Sequence, residues 1–227
     1  MATGAPRSTR PGGRTARVRA AVVAATFEEL AEHGYDQLTV EGVAARSGVH
    51  KATIYRRWGG VDGLVADALR HAAREPWPVP DTGSLDGDLR GLAALVVDTF
   101  TDPHVGAMSM AAIRAASRSR VAADALAEFF AARHAQAAVV VTRAIDRGEL
   151  PPQTEADEVI RATVAPLYYR LLLTREPVDH DVAVRAARAA ARAARAGVFG
   201  PPSGDDRRGS RASGSSRAVR PPAERPT

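Results

Sequence analysis

The sequence predicts an all-α protein of about nine helices, with a small helical domain followed by a larger one. Apolar residues recur at spacings of three and four through most of the chain, which is the period of an amphipathic helix. No segment alternates with period two for long enough to be a strand. Glycine and proline breakers cut the chain into pieces of helix length. These three observations favour helices throughout.

The first two predicted helices are separated by a short turn. The first spans residues 14–33, and Gly34 ends it in the usual position after a helix. Thr39 is predicted to cap the second helix, because its side-chain oxygen can accept hydrogen bonds from the free amides of the first turn. Gly48 ends this second helix.

A third helix is predicted over residues 50–58 and a fourth over residues 61–74. Ile54 and Trp58 lie four residues apart and therefore share one face of the third helix. That face is expected to pack on the preceding helix. A short helix, a tight glycine turn and a second helix with outward cations is a helix-turn-helix arrangement.

The longer helices follow a proline-rich break at residues 77–84. They are predicted over residues 85–100, 104–118, 121–147, 155–174 and 179–198. The predicted domains are a flexible basic arm (1–13), an N-terminal helix-turn-helix domain (14–75), a larger helical domain (82–199) and a disordered tail (200–227). The arm and tail are rich in Gly, Pro, Ser and Arg, which cannot bury an apolar face.

The net charge of +5 is concentrated at the ends of the chain. Residues 1–60 carry nine basic against five acidic residues (+4), residues 61–200 sixteen against eighteen (−2), and residues 201–227 six against three (+3). This asymmetry favours a polyanionic partner for the ends. Basic ends that only keep the protein soluble are the alternative.

The absence of cysteine and of long apolar runs excludes several classes of protein. With no cysteine there are no disulfides, thiolate metal sites or cysteine nucleophiles. No apolar run approaches the roughly 18 residues that span a bilayer. The N-terminal stretch lacks the apolar segment of a secretory signal. We therefore expect no membrane association and a cytoplasmic location.

The third helix carries the pattern of a DNA-reading surface. Its small outward residues let it enter a major groove about 12 Å wide, and arginine there can contact guanine edges. Hydroxyl groups suit phosphate oxygens. The candidate DNA-binding residues are Thr39, His50, Lys51, Ala52, Thr53, Tyr55, Arg56 and Arg57. An ordinary surface helix with solvated arginines is the alternative, but it does not explain the ordered set of cap, turn, inward and outward residues.

Residues 14–64 resemble the DNA-binding region of TetR-family transcriptional regulators. The matching stretch reads EHGYDQLTVEGVAARSGVHKATIYRRW and is followed by an apolar-rich helix near Val61. The resemblance implies a homodimeric DNA-binding regulator whose C-terminal helices bind a small molecule and form the dimer. The segments TGSLDGDL (82–89), AIDRGELP (144–151) and PLYYRLLLTREP (166–177) resemble one C-terminal subclass of this family, for which the resemblance implies no common ligand.

The start of the fourth helix departs from the family pattern. Family members usually carry a small polar cap and then a lysine, where this sequence has Gly60 and Val61. One phosphate contact is therefore missing, although backbone amides at a helix N-terminus can still hold a phosphate. The basic arm, with Arg7, Arg10 and Arg14, is a candidate to compensate by entering a minor groove.

The larger domain supplies candidates for a small-molecule site and for a dimer interface. The ligand-binding candidates are Phe100, Met108, Phe130, His134 and Tyr168, with Met110, Ile113, Phe129 and Tyr169 as further large inward side chains. For each of them a role in the core is the alternative. Helix 155–174 is apolar on several sides, which favours a partner subunit that covers one of them. The family resemblance implies a homodimer formed through residues 155–174 and 179–198. The arginine stripe of the last helix, Arg185, Arg188, Arg192 and Arg195, is expected to be a solvated face.

No pattern in the sequence points to catalysis. There is no glycine-rich phosphate loop, no GxSxG motif and no zinc-ligand spacing among the histidines, so no catalytic residue, metal or cofactor is expected. The sequence therefore predicts a ligand-responsive regulator, most consistent with a repressor released from a palindromic double-stranded DNA operator by a small molecule. A non-specific nucleic-acid-binding protein and a helical dimer that binds only a small molecule are the alternatives.

Overall fold

The computed structural model describes residues 12–201, which form nine α-helices and no strand, as predicted. The helices are α1 (Gly12–His33), α2 (Val40–Ser47), α3 (Lys51–Trp58), α4 (Val61–Arg74), α5 (Leu85–Thr101), α6 (Pro103–Arg118), α7 (Arg120–Asp146), α8 (Ala156–Tyr168) and α9 (His180–Arg195). None of these helices is long and apolar enough to cross a membrane.

Local capping groups set most of the helix ends. Thr39 caps α2, with its hydroxyl oxygen accepting a hydrogen bond from the Gly42 amide at 3.0 Å, which confirms the predicted cap. Gly34 follows α1 with a positive φ of 73°, a conformation that glycine adopts at little cost. The side chains that cap the later helices in the same way are Ser84, Asp102, Ser119 and Asp179.

The first helix begins earlier than predicted. Helix α1 starts at Gly12, inside the segment that was predicted as a flexible arm, and Arg14 therefore lies in its first turn. The two glycines at positions 12 and 13 masked this start in the sequence, because glycine is a poor helix former. The rest of the predicted arm, residues 1–11, lies outside the described residues, as does the predicted tail from residue 202 onward.

The eighth helix does not run unchanged to residue 174. It ends at Tyr168 and continues as a π-helical turn, Tyr169–Thr174. Pro166 lies inside α8. Because proline has no amide hydrogen to donate, the regular hydrogen-bond ladder is interrupted there, and a wider turn is one way in which a helix absorbs that loss.

Two hydrophobic clusters make up the core, and one of them crosses the predicted domain boundary. The first cluster joins α1–α4 to the alanine-rich faces of α6 and α7, including Ala112 and Ala122. The second joins α5, α7, α8 and α9. Helix α4 packs along α7, and Arg70 of α4 forms an ion pair with Glu128 of α7 at 2.7 Å. The N-terminal helices therefore rest directly on the larger domain.

The last helix packs through its small residues. Seven residues of α9 are buried, and they are Val182, Ala183, Ala186, Ala187, Ala190, Ala191 and Ala194. Arg185, Arg188 and Arg192 are exposed, as predicted for a solvated face. Arg195 differs, because it pairs with Asp86 and Glu149 and so ties the end of α9 to the start of α5.

Candidate functional site

Helix α3 is fixed in place by one apolar and one polar anchor. Ile54 is fully buried in the first hydrophobic cluster, together with Val43 of α2. The Trp58 indole donates a hydrogen bond to the carboxylate of Asp67 on α4 at 3.0 Å. The same carboxylate pairs with Arg19 of α1 at 2.7 Å. Contacts with α2 and α4 therefore hold α3 in place, as a helix that presents a binding surface requires.

The Asp67 carboxylate stays ionised in this setting. Burial alone would raise the pKa of Asp67, but the hydrogen bonds from Arg19 and Trp58 lower it below its ordinary value. The hydrogen bond to Asp67 likewise raises the pKa of Arg19. A charged pair therefore joins α1 to α4 directly behind α3.

The outward face of α3 presents cations to solvent. Lys51, Ala52, Arg56 and Arg57 are exposed, and the Tyr55 ring is 48% exposed. Within residues 12–201, Lys51 and Arg56 make no side-chain hydrogen bond or ion pair, so their charges are available to a partner. The structure brings these predicted residues together on one surface.

The other three predicted DNA-binding residues border the same surface. Thr53 is half-buried on α3, and His50 is exposed at the N-terminus of that helix. Thr39 is exposed at the start of α2, and its hydroxyl oxygen is already an acceptor for the Gly42 amide. A hydroxyl group has one hydrogen to donate, so Thr39 can bind a phosphate oxygen without leaving its cap.

Arg57 is exposed but also contacts other residues of the protein. Its guanidinium lies 5.0 Å from the centre of the Trp58 ring, within the range of a cation–π contact. It also donates to the backbone oxygen of Thr15 on α1 at 3.4 Å. We therefore expect Arg57 to contribute less to base recognition than Arg56.

A basic groove joins α3 to the first turns of α1. Its walls come from α1, the turn before α3 and α3 itself, and its lining residues are Arg14, Thr15, Val18, Gly48, Val49, His50, Thr53, Arg56 and Arg57. That Arg14 and Arg56 line the same groove was not predicted, because the two residues are 42 positions apart in the chain. The groove is suited to a phosphate backbone.

The start of α4 carries no cation in its first turn. Gly60 precedes the helix with a φ of 156°, and the first turn contains Asp62, which accepts a hydrogen bond from the Tyr35 hydroxyl at 2.9 Å. Gly63 packs so closely that a Cβ there would overlap the backbone oxygen of Trp58. This region therefore joins α3 to α4 tightly.

A cavity of about 300 Å³ lies between α1, α4, α5, α6, α7 and α8. All five predicted ligand-binding residues line it: Phe100, Met108, Phe130, His134 and Tyr168. Ile113 and Phe129 line it as well, whereas Met110 is not among the wall residues. Tyr169 was predicted to point inward but is 57% exposed, because the π-helical turn starts at that residue.

Aromatic rings dominate one wall of the cavity. The Tyr168 ring meets Phe100 and Phe130 edge-to-face, with ring centres 5.8 Å and 5.4 Å apart. Burial raises the pKa of Tyr168 to about 12, so its phenol is neutral. Burial, and then the charge of Arg161, lower the pKa of His134. This side of the cavity is therefore apolar, with the Tyr168 phenol and the His134 imidazole as polar groups.

Trp77 and Arg133 are among the wall residues that the sequence analysis missed. Trp77 comes from the proline-rich break, which reads as a linker. Arg133 reads as one more surface arginine on an alanine-rich helix. The Arg133 guanidinium donates to backbone oxygens at the end of α4 and lies beside aromatic rings. Neither contact can be recognised from the residues next to Arg133 in the sequence. Among the described residues there is no cluster of three His, Asp or Glu side chains able to hold a metal.

Helix α4 belongs to both sites. Asp67 of α4 accepts the hydrogen bond from Trp58 of α3. The opposite face of α4 contributes Val65, Leu69 and Ala72 to the cavity wall. Helix α4 is therefore the element that contacts both α3 and the cavity.

Two family models match the chain. One, described as "Bacterial regulatory proteins, tetR family", matches residues 22–68. The other, described as "Tetracyclin repressor-like, C-terminal domain", matches residues 79–190.

Full-length relatives give the same result. The chain is 31% identical over 160 residues to the uncharacterized HTH-type transcriptional regulator YdeS of Bacillus subtilis, covering 70% of this chain and 80% of that one. It is 31% identical over 147 residues to the HTH-type transcriptional regulator AqdR of Rhodococcus erythropolis, covering 65% and 70%. The crystal structure of the TetR family transcription regulator SCO0332 superposes with a TM-score of 0.64 at 29% identity, covering 78% of this chain and 97% of that one.

These relatives are transcriptional regulators, which confirms the prediction that the chain is not an enzyme. The two family models match in the order of an N-terminal regulatory domain and a C-terminal helical domain. The chain therefore belongs to the TetR family of transcriptional regulators.

Proposed function

We propose that this regulator is a homodimeric repressor that binds a near-palindromic DNA operator and is released by a small molecule held in the cavity. The observation that carries the proposal is the double role of α4, which seats the cationic helix α3 on one side and lines the cavity on the other. Because the DNA that it reads lies in the cytoplasm of a bacterial cell, we propose that it acts there.

In the proposed complex, α3 enters the major groove. Arg56 and Lys51 are exposed and pair with no other residue between positions 12 and 201, so they are the strongest candidates for base and phosphate contacts. Ala52 and Thr53 are small enough to meet thymine methyl groups. Thr39, Tyr55 and the Arg14 side of the basic groove suit the phosphates that flank the reading surface.

Release is proposed to follow a shift of α4. To move an equilibrium from 1:99 to 99:1, a ligand must favour one state by about 5.5 kcal/mol. A mostly apolar molecule buried in a cavity of about 300 Å³ is able to supply a difference of this order. Displacement of α4 would move α3 and destroy the spacing between the two reading helices of a dimer.

The dimer is proposed to form through residues 155–174 and 179–198. An apolar stripe on the outer side of α8 and its π-helical turn supports this, since Ala165, Tyr169 and Leu173 are all exposed. The start of α8 is acidic and the exposed face of α9 is basic, so the two faces are complementary in charge. A two-fold dimer would present reading helices about 34–36 Å apart, one turn of DNA.

Selection of bound duplexes from a random pool tests the reading function. We expect the full-length protein to enrich a near-palindrome with half-sites one helical turn apart, and footprinting to protect it. Enrichment without sequence preference would support the non-specific alternative, and no enrichment would support the helical dimer that binds only a small molecule.

Two substitutions on α3 sharpen that test. Arg56→Ala should weaken operator binding by about 1–3 kcal/mol and relax specificity at one position, as expected for a lost base contact. Tyr55→Phe should weaken binding to all sequences alike, as expected for a lost phosphate contact. Arg120→Ala, at the exposed start of α7 and outside the proposed dimer interface, is the matched control for charge and should leave operator affinity unchanged.

Sedimentation of an interface variant tests the dimer. Leu173 is 73% exposed in the single chain, so Leu173→Glu should not unfold it. We expect the wild type to sediment as a dimer and Leu173→Glu to sediment as a monomer with weaker operator binding. A variant that remains dimeric would move the interface elsewhere.

A further inference from the structure

The cavity contains one charged side chain whose partners are all neutral. Arg133 of α7 lines the cavity, and its guanidinium donates to the backbone oxygens of Ala72 and Glu75 at 2.9 Å and 2.8 Å and to the Gln136 side-chain oxygen at 3.0 Å. Within residues 12–201 no carboxylate lies within 4 Å of it. A cation held only by neutral oxygens retains the capacity to bind an anion strongly.

Aromatic rings cover part of the Arg133 guanidinium. Its guanidinium carbon lies 5.0 Å from the centre of the Phe129 ring and 5.8 Å from that of Trp77, and both rings also line the cavity. Burial lowers the pKa of Arg133, with the charge of Glu75 acting in the opposite direction, and arginine remains protonated at any physiological pH. Electrostatic attraction is stronger in such a desolvated setting than in water.

The wall contains no acidic side chain to bind a cation. Arg133 and His134 are the ionisable nitrogen bases among the described lining residues, and neither Asp nor Glu is present there. An aromatic pocket without a carboxylate but with an arginine at its edge favours an apolar molecule with a negative group over one with a positive group.

The position of Arg133 also connects the cavity to α4. The Ala72 and Glu75 oxygens belong to the last turn of α4 and the residue after it, and the Ala72 oxygen also accepts from the Glu75 amide at 3.1 Å. A cation at this end of a helix also opposes the negative end of its dipole. Arg133, together with Gln136, whose amide nitrogen donates to the Ala73 and Glu75 oxygens, therefore holds the C-terminal end of α4 against α7.

We propose that the effector is an apolar organic acid whose carboxylate binds Arg133 and displaces the α4 carbonyl oxygens from it. This inference rests on the proposed function and adds the chemical class of the ligand and the residue that transmits its binding. The apolar body would occupy the space between Phe100, Phe130 and Tyr168. Loss of the Arg133 contacts would loosen the end of α4. The helix that anchors α3 through Asp67 would then be able to move.

Three naphthalene probes with different head groups test the class of ligand. They are 2-naphthoate (anionic), 2-naphthalenemethanol (neutral) and 2-naphthylmethylammonium (cationic), titrated into the full-length protein by isothermal calorimetry without DNA. We expect naphthoate to bind at least about tenfold more tightly than the alcohol, since a charge-assisted hydrogen bond contributes at least that factor. The ammonium probe should bind most weakly. Equal affinities or a preference for the ammonium would overturn the proposal. So would the absence of naphthoate binding up to a concentration of about 1 mM, which corresponds to a binding free energy of roughly −4 kcal/mol.

Substitutions of Arg133 test its role. Arg133→Gln should weaken naphthoate binding by about tenfold and change the alcohol by less than about threefold. Arg120→Gln, an exposed arginine at the start of the same helix, is the matched control and should change neither. Arg133→Lys keeps the charge, so it should retain the preference for the acid even where loss of the α4 contacts lowers the melting temperature. A lysine variant that binds the acid and the alcohol alike would overturn the proposal.

Operator release separates this inference from the function on which it rests. We expect naphthoate to lower the affinity of the protein for its selected duplex at least about tenfold, measured by fluorescence anisotropy, and to have no such effect on Arg133→Gln. If the protein selects no duplex at all, the proposed function fails while the calorimetric result still stands. If it selects a duplex but naphthoate binding does not depend on Arg133, only the present inference fails.

Discussion

The proposed DNA-reading surface and the cavity differ in how their residues are brought together. Most reading residues follow one another on α3, a helix of eight residues, and a single buried face orients all of them. The cavity takes its wall from six helices, with residues as far apart as Phe27 and Tyr168. A contiguous surface depends on local order, whereas a cavity depends on the relative positions of several helices.

This difference determines which part of the molecule a substitution affects. A change under α3 should damage reading and leave the cavity intact, because the anchors Ile54 and Trp58 are not wall residues. A change in the wall should alter ligand binding first and reading only through α4. Substitutions that separate the two effects therefore test whether α4 is the connection between them.

The largest effect is expected from removal of the apolar anchor. Ile54 is fully buried, so Ile54→Ala should lower the free energy of unfolding by about 2–5 kcal/mol and weaken operator binding at temperatures where the chain is still folded. Naphthoate affinity of the folded protein should change by less than about twofold. Val121→Ala, at a position that is 48% exposed, should stay within about 0.5 kcal/mol. Similar losses for the two variants, measured by urea denaturation, would contradict this role for Ile54.

A smaller effect is expected at the junction of α3 and α4. Gly63→Ala would place a Cβ on the backbone oxygen of Trp58, so one of the two helices must shift, at a cost of about 1–3 kcal/mol. Gly13→Ala is the matched control, because nothing lies within 4 Å of its Cβ position in α1.

The two glycine variants should differ in sign. Alanine is the better helix former by up to about 1 kcal/mol, so Gly13→Ala should leave the melting temperature unchanged or raise it. Gly63→Ala should lower the melting temperature and weaken operator binding. A melting temperature for Gly63→Ala at or above that of the wild type would show that the α3–α4 junction is not tightly fixed.

The sequence was most informative where one or two residues decide the outcome. Gly34 determines where α1 ends, and the Thr39 cap determines where α2 begins. Both residues act on the backbone of their immediate neighbours. The π-helical turn after Tyr168 was not foreseeable from periodicity, because Pro166 removes a hydrogen bond but does not dictate how the helix absorbs that loss.

The functional residues follow the same rule. The α3 residues could be predicted as a set because their common face follows from helical period alone. Phe100 and Tyr168 could be proposed only as large inward side chains, and their meeting edge-to-face depends on how α5 and α8 pack. Arg133 could not be distinguished from a surface arginine, since its distinction lies in the α4 oxygens that it contacts 58 and 61 positions away.

The ion pair behind α3 should have a moderate effect with a defined pH dependence. Asp67→Asn removes its charge and should cost about 1 kcal/mol at pH 7, because the pair with Arg19 is only partly exposed. The pKa of Asp67 is lowered in the fold, so its contribution is present above the unfolded value of about 3.9 and is lost as pH falls through the folded value. Unfolding free energies of the two proteins should therefore converge as pH is lowered toward about 3. A constant difference between pH 7 and 3 would mean that the charge of Asp67 is not what stabilises the junction.

The smallest effect is expected in the cavity wall, at His134. Burial, followed by the charge of Arg161, lowers the pKa of this histidine, although Asp157 and Glu158 act in the opposite direction. Below the unfolded value of about 6.5 the unfolded chain binds a proton more readily than the folded one, so stability falls as pH decreases from about 7 to 5. His134→Gln removes this proton site and should flatten that part of the profile by less than about 1 kcal/mol, without changing operator affinity at pH 8. Parallel profiles for the two proteins would mean that the folded cavity accepts a protonated His134 as readily as water does. Such a result would also weaken the argument that the wall is a desolvated site in which the charge of Arg133 is felt strongly.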